Sequence, residues 1–289
     1  MRLTTLFLKI STITLYLGSA IILATFLLLP QGISTPPHAQ QAPQPSSSPP
    51  PSDWQRVDEM QLQKMQQQMN LTPEQVEKIR AIKAQFRDKI NALRTPRIKA
   101  SQELQTLMAS SASREEVREK HRQSFGLVDK FGDLFFEKQL AIREVTTPQQ
   151  RQQYAQQFIQ AQQQNKKPPQ QQLEETLNNQ KRDDERELQQ LQQQLNLTPE
   201  QVEKIKAIQA QHRNEYSPLF NIMLKDSDEL TIAQSTSAST DELRQQYQQA
   251  KGVQQKIFVM SLERELAIRD ILTPAQRQQK YINLANLQN

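Results

Sequence analysis

The chain has no cysteine and only five glycines in 289 residues. Without thiols it forms no disulfide, holds no thiolate metal site and offers no cysteine nucleophile. With so little glycine, phosphate-cradling loops, tight hairpins and most sheet architectures lack the positive-φ positions they need. Histidine is scarcer still, at three residues. Glutamine, glutamate, lysine, arginine, leucine and alanine dominate instead, and all of them lose little rotamer freedom in a helix. The composition predicts an all-α protein.

The first residues differ from the rest. Arg2 and Lys9 precede an uncharged run over residues 10–29, and no further positive charge follows until Arg56. A helix of that length spans roughly 30 Å, the thickness of a bilayer core. The charge placement keeps the N-terminus inside and translocates the remainder. Residues 1–29 are therefore a signal anchor or, because Gly32-Ile33-Ser34 offers a small-x-small cleavage site, a signal peptide. Both alternatives export the chain; the anchor would also give it the membrane as a partner. Residues 30–52 are rich in proline and serine and carry no charge, the make-up of an extended spacer. The formal net charge is +5, but the charges alternate in sign along the helical stretches, which makes solvated faces and no nucleic-acid partner.

Set against itself, the chain reveals a duplication. Residues 68–87 and 194–213 are identical at sixteen of twenty positions, an offset of 126. The same offset carries Ala141-Ile142-Arg143 onto Ala267-Ile268-Arg269, and Thr147-Pro148 onto Thr273-Pro274, without a gap. A period this long means two domains, not a solenoid. The boundary falls near Pro168-Pro169, giving a first unit over 53–165 and a second over 166–289.

Each unit reads as about four helices. Thr72 is an N-cap, Pro73 occupies N1, and Gln75 at N3 completes a capping box, with Leu71 and Val76 placed as a hydrophobic staple. Leu197, Thr198 and Gln201 repeat the arrangement; Thr147 with Gln150, and Leu272 and Thr273 with Gln276, open a later helix without the apolar staple. Val76, Ile79, Ile82, Phe86, Ile90 and Leu93 then recur at helical spacing until Pro96; Pro218 is expected to break the second copy. A long helix follows over about 114–144 and about 241–270. Val117, Leu127, Val128, Phe131, Leu134, Phe135 and Ile142 share one of its faces. Phe136 and Leu140, with Phe258, Leu262 and Leu266 in the second copy, form another stripe, which requires a further partner: a packed helix, the other copy or a bound client.

No enzyme site is legible. His38 lies in the spacer, while His121 and His212 align with Tyr247 and Phe86, so both folded-domain histidines stand at aromatic core positions. No metal site and no cofactor are expected. The carboxylate pairs Glu115-Glu116 and Asp183-Asp184 read as solvated faces of charged helices.

The paired Leu-Thr-x-x-Gln pattern, near the start and end of each unit, resembles the LTxxQ family of Spy and CpxP, periplasmic stress proteins. Copy one departs from it at Thr146, where the family has leucine. The resemblance implies two tandem helical-hairpin units forming a cradle, a periplasmic location, and ATP-independent holding of unfolded client proteins. It also implies pairing of units, here as an intramolecular pseudo-dimer of the two copies or as a homodimer. Some relatives sense metals, for which this chain lacks paired histidines and thiols. The alternative function is a structural or regulatory module that binds one defined envelope partner. On the residues alone the motif positions are helix caps, not contact residues.

Overall fold

The computed structural model describes residues 53–165 and 169–286. Copy one contains α1 (Asp53–Met69), α2 (Pro73–Ala92), α3 (Arg94–Ala109), α4 (Arg114–Val145) and α5 (Pro148–Asn165). Copy two contains α6 (Pro169–Leu195), α7 (Pro199–Ser235), α8 (Thr240–Ile271) and α9 (Pro274–Asn286). The described residues hold helices and short connections and no strand. None of their helices is long and apolar enough to cross a membrane; the apolar run over 10–29 and the spacer lie outside the described residues.

The duplication reaches the element ends. α4 and α8 start and stop at the same offset of 126, as do the C-termini of α1 and α6 and the starts of α5 and α9. Each copy closes the same small core at its motif end. Leu62, Met65 and Met69 of α1 pack with Leu71, Val76, Ile79 and Ile142; Leu188, Leu191 and Leu195 of α6 pack with Leu197, Val202, Ile205 and Ile268. Between α1 and α2, Asn70 takes a left-handed φ of 50°, and the Leu71 N–H donates to the Gln66 carbonyl at 3.2 Å, the long bond of a Schellman stop. Asn196 has the same φ. Asparagine tolerates this region better than most residues with a β-carbon, so the turn is encoded by the residue before each Leu-Thr.

The two prolines act differently. Pro96 sits in the first turn of α3, just beyond a break at Leu93. Pro218, expected to break copy two, instead lies inside the unbroken α7. An interior proline forfeits one helical bond and presses on the preceding turn. Tyr216, Phe220 and Met223 flank it and are buried in the largest core, and their packing holds α7 continuous. Copy one, with Arg94 and Arg97 at the positions of Phe220 and Met223, has no such packing and divides. The described chain thus has five helices in copy one and four in copy two.

The copies pack on each other as an antiparallel pair. Arg118 meets Glu263 at 2.7 Å, and its counterpart Arg244 meets Glu137 at 3.2 Å. Gln255 donates to Asp129 at 3.1 Å; these two residues are each other's counterparts, so a pseudo-twofold axis passes between them. The terminal helices are exchanged about this axis, α9 lying on α3 of copy one and α5 on α7 of copy two.

Candidate functional site

Three sites present themselves: the motif ends, the seam between copies, and the face of α4 that carries Phe131 and Phe135.

At the motif ends, the expected caps are formed. Thr72 and Thr198 each accept from the N–H of the glutamine three residues on, at 3.2 Å, and the glutamine returns the bond to the threonine N–H at 3.0 Å. Thr147 with Gln150 and Thr273 with Gln276 make the same reciprocal pair, and both are complete. Ser113 with Glu116 and Ser239 with Glu242 add further capping boxes. Glu116 thereby has a structural task, and the Ser113 N–H and hydroxyl hold its carboxyl below the usual range.

The glutamines also do what a local cap does not require. The Gln75 amide donates to Gln150 Oε1 at 2.9 Å and to the Val145 carbonyl at 2.8 Å. Gln150 returns a bond to Gln75 Oε1 at 3.0 Å and reaches the Asn70 carbonyl at 3.3 Å. Gln201 and Gln276 repeat this pair, reaching the Ile271 and Leu195 carbonyls. The motif residues are therefore joints between helices as well as caps. Each capping glutamine spends its oxygen on its own helix start and its amide on the other motif, so the pair ties the second and last helices of a unit together. Leu71, Leu197 and Leu272 are buried beneath these joints. Thr146, standing in for the fourth leucine, is buried too, and its hydroxyl donates to the Arg143 carbonyl at 2.8 Å, closing α4.

At the seam, Phe136 and Leu140 are buried among Tyr216, Phe220, Leu243 and Tyr247 of copy two. Phe136 stacks on Tyr247 with ring centroids 4.0 Å apart. Leu262 and Leu266 are buried with Met108 and Val117 of copy one. Phe258 is half-buried and stacks on His121 at 4.5 Å and against Phe125 at 4.3 Å. The second stripe is thus occupied largely by the other copy. Two arginines, Arg269 buried and Arg143 half-buried, latch the seam. Arg269 donates to the Met108, Ser110 and Ala112 carbonyls at 3.0, 2.9 and 2.6 Å; Arg143 donates to the carbonyls of their counterparts Gln234, Thr236 and Ala238. Each satisfies the orphan carbonyls at a helix end of the opposite copy. Sequence reasoning missed this role, although both arginines stand in an aligned Ala-Ile-Arg triplet.

A polar cluster lies between α6, α7 and α8. Asp184, expected on a solvated face, is 7% exposed and paired with Arg213 and Arg264, the latter at 3.0 Å. Burial pushes its carboxyl up against the pull of both arginines. Asp183 stays near the surface, bridged to Arg186. His212 is buried beside this cluster, stacked on Tyr216, and burial lowers it to about 4; His121 is lowered to about 4 by the same cause. Both imidazoles are neutral ring fillers at neutral pH.

The third site is the face of α4 turned towards α2 and α3, on which Ile142 packs with Ile79. Leu127, Val128, Phe131, Leu134 and Phe135 run along the middle of α4 and are half-buried. Two cations lie on this band: the Arg97 guanidinium 4.8 Å above the Phe131 ring and the Lys138 ammonium 4.0 Å from the Phe135 ring. Burial lowers Lys138 to about 8, with Lys83 adding repulsion.

The family model described as LTXXQ motif family protein matches residues 57–158 and 183–280, one match per copy. No curated protein and no solved structure matches the chain. The two matches take in the four capped motifs and the glutamine joints between them. On these matches, which cover more than half of its length, the chain belongs to the LTXXQ motif family.

Proposed function

We propose that the protein is an extracytoplasmic, ATP-independent chaperone that holds unfolded polypeptides on its helical surface. The observation that carries this reading is the family match over both copies, joined by large apolar side chains left exposed along the helices, among them Ile98, Ile222, Ile232 and Val259. Dispersed apolar side chains among charged ones suit weak and promiscuous contact with extended chains better than capture of one small molecule. Membership of the LTXXQ family supports an exported, stress-related setting. The apolar run over 10–29 supplies a route out of the cytoplasm, cleaved or kept as a tether.

The test is aggregation of several unrelated unfolded clients with residues 53–289 present at a few-fold molar excess and no nucleotide. Slowed aggregation across clients is the expected result. Failure with every client, from a folded fragment, overturns the reading. Tight capture of a single envelope protein without general suppression would point instead to a regulatory module.

A further inference from the structure

Where α7 turns into α8, copy two has a groove of about 740 Å³, within the size range of clefts that take small groups. Glu229, Ile232, Ala233, Glu242 and Gln246 are among the residues lining it, and Ile232 is 50% exposed. Copy one fills the equivalent place from its own chain. The counterpart of Gln246 is Lys120, whose ammonium pairs with Glu103, and the counterpart of Ala233 is the larger Leu107. In copy two the ammonium is gone. Glu229, the counterpart of Glu103, keeps its helix neighbour Lys225 at 3.6 Å, as Glu103 keeps Lys99 at 3.9 Å. Gln246 Oε1 is buried and receives no hydrogen bond among the described residues. A buried amide oxygen without a donor is costly, and it marks the place of a missing partner. The other charges around the groove are shared by both copies. Glu242 commits one oxygen to the Ser239 cap, as Glu116 does at Ser113. Arg143 reaches the Thr236 and Ala238 carbonyls, and its counterpart Arg269 does the same in copy one without keeping Lys120 from Glu103.

We propose that this groove of copy two seats a lysine side chain of an extended client segment, with its ammonium between Glu229 and Gln246 and its stem on Ile232 and Ala233, in the place that Lys120 takes in copy one. The proposal rests on the chaperone reading and names the client chemistry that the surface favours. An ammonium has three donors and no acceptor, so one group serves both the carboxylate and the orphaned amide oxygen. Its methylene stem covers apolar surface while the charged head stays at the polar groups. The charge of the copies agrees with the assignment. Residues 166–289 carry 16 lysines and arginines against 17 acids, whereas residues 53–165 carry 18 against 14, so a cationic segment is drawn to copy two.

The test uses the full chain and one labelled, unstructured peptide rich in leucine and lysine, with its lysines either free or acetylated. Acetylation keeps the stem and removes the charge. The free peptide should bind more tightly than the acetylated one. Gln246→Lys, which gives copy two the residue of copy one, should fill the seat from within and bring the free peptide down to the acetylated level. Glu229→Gln, at an exposed position that leaves the fold intact, should weaken the free peptide roughly two- to fivefold, the range for a partly exposed ion pair, and leave the acetylated one unaffected. Glu103→Gln, in the copy whose seat is already filled, should change neither. Equal binding of the two peptides, a preference that survives Gln246→Lys or Glu229→Gln, or an equal loss from Glu103→Gln overturns the inference while aggregation suppression stands. A lysine preference without suppression keeps the seat and overturns the chaperone reading. Loss of both in the unaltered chain overturns the two together.

Discussion

At the scale of single residues, the motif glutamine has two separable jobs. A carboxylate at N3 closes a capping box as well as an amide does, but it cannot donate to Gln150 or to the Val145 carbonyl. Gln75→Glu should therefore cost about 1–3 kcal/mol in urea unfolding, the range for an unmade part-buried hydrogen bond, though the cap itself survives. Thr72→Ala, which removes only the cap bond, should cost about 1 kcal/mol. A Gln75→Glu variant as stable as wild type would show that the joint contributes nothing. The histidines give a prediction in pH. Burial places His121 and His212 at about 4, below the 6.5 of the free side chain. As pH falls from about 6.5 to 4, the unfolded chain takes up protons that the folded one refuses, so stability declines over that window. His212→Phe, which copies Phe86 of the other unit, should flatten the decline and leave neutral-pH folding intact; an unchanged acid profile would contradict it. The caps were legible in the sequence because a capping box is local. The glutamine pair was not: its partners are 75 residues apart, and nothing local reports the spare amide. Asp184 was misread for the same reason, since its arginines come from two other helices.

At the scale of elements, periodicity marked the long α4 and α8 closely, because their apolar faces are regular and their ends carry capping boxes. It failed at Pro218, where tertiary packing overrides a local break. Replacing Pro218 by alanine restores the N–H that the Asn214 carbonyl lacks and removes the ring's clash. It should raise stability by about 1–3 kcal/mol in thermal or urea unfolding. Pro96→Ala, at a helix start where the missing bond matters less, should change it by less. A destabilised Pro218→Ala would mean that the proline sets a bend the core requires.

At the scale of the whole molecule, sequence analysis located the duplication and the unpartnered stripe but left three candidate partners for it. The choice depends on matching surfaces distant in sequence: Phe136 on Tyr247, Arg118 on Glu263, Arg143 and Arg269 each across the seam. Leu140 and Leu266, 3% and 0% exposed, fill equivalent places on the two sides. Alanine at either should cost about 2–5 kcal/mol. A charge at both should part the copies while circular dichroism still reports helix. The central claim is that the copies lie antiparallel across a pseudo-twofold axis near Asp129 and Gln255. Because the chain has no cysteine, spin labels can be placed at will. Arg122 and Val259 are exposed and lie near each other across the seam, next to the Arg118–Glu263 pair, whereas Gln248, the counterpart of Arg122, is displaced along α8. Electron–electron distance measurement on the two labelled pairs tests the claim most directly. The account predicts a short, narrow distance for 122–259 and a clearly longer one for 122–248, because Gln248 lies roughly 16 Å further along the α8 axis by the helical rise per residue. A shorter distance for 122–248, or broad long distances for both pairs, would contradict it.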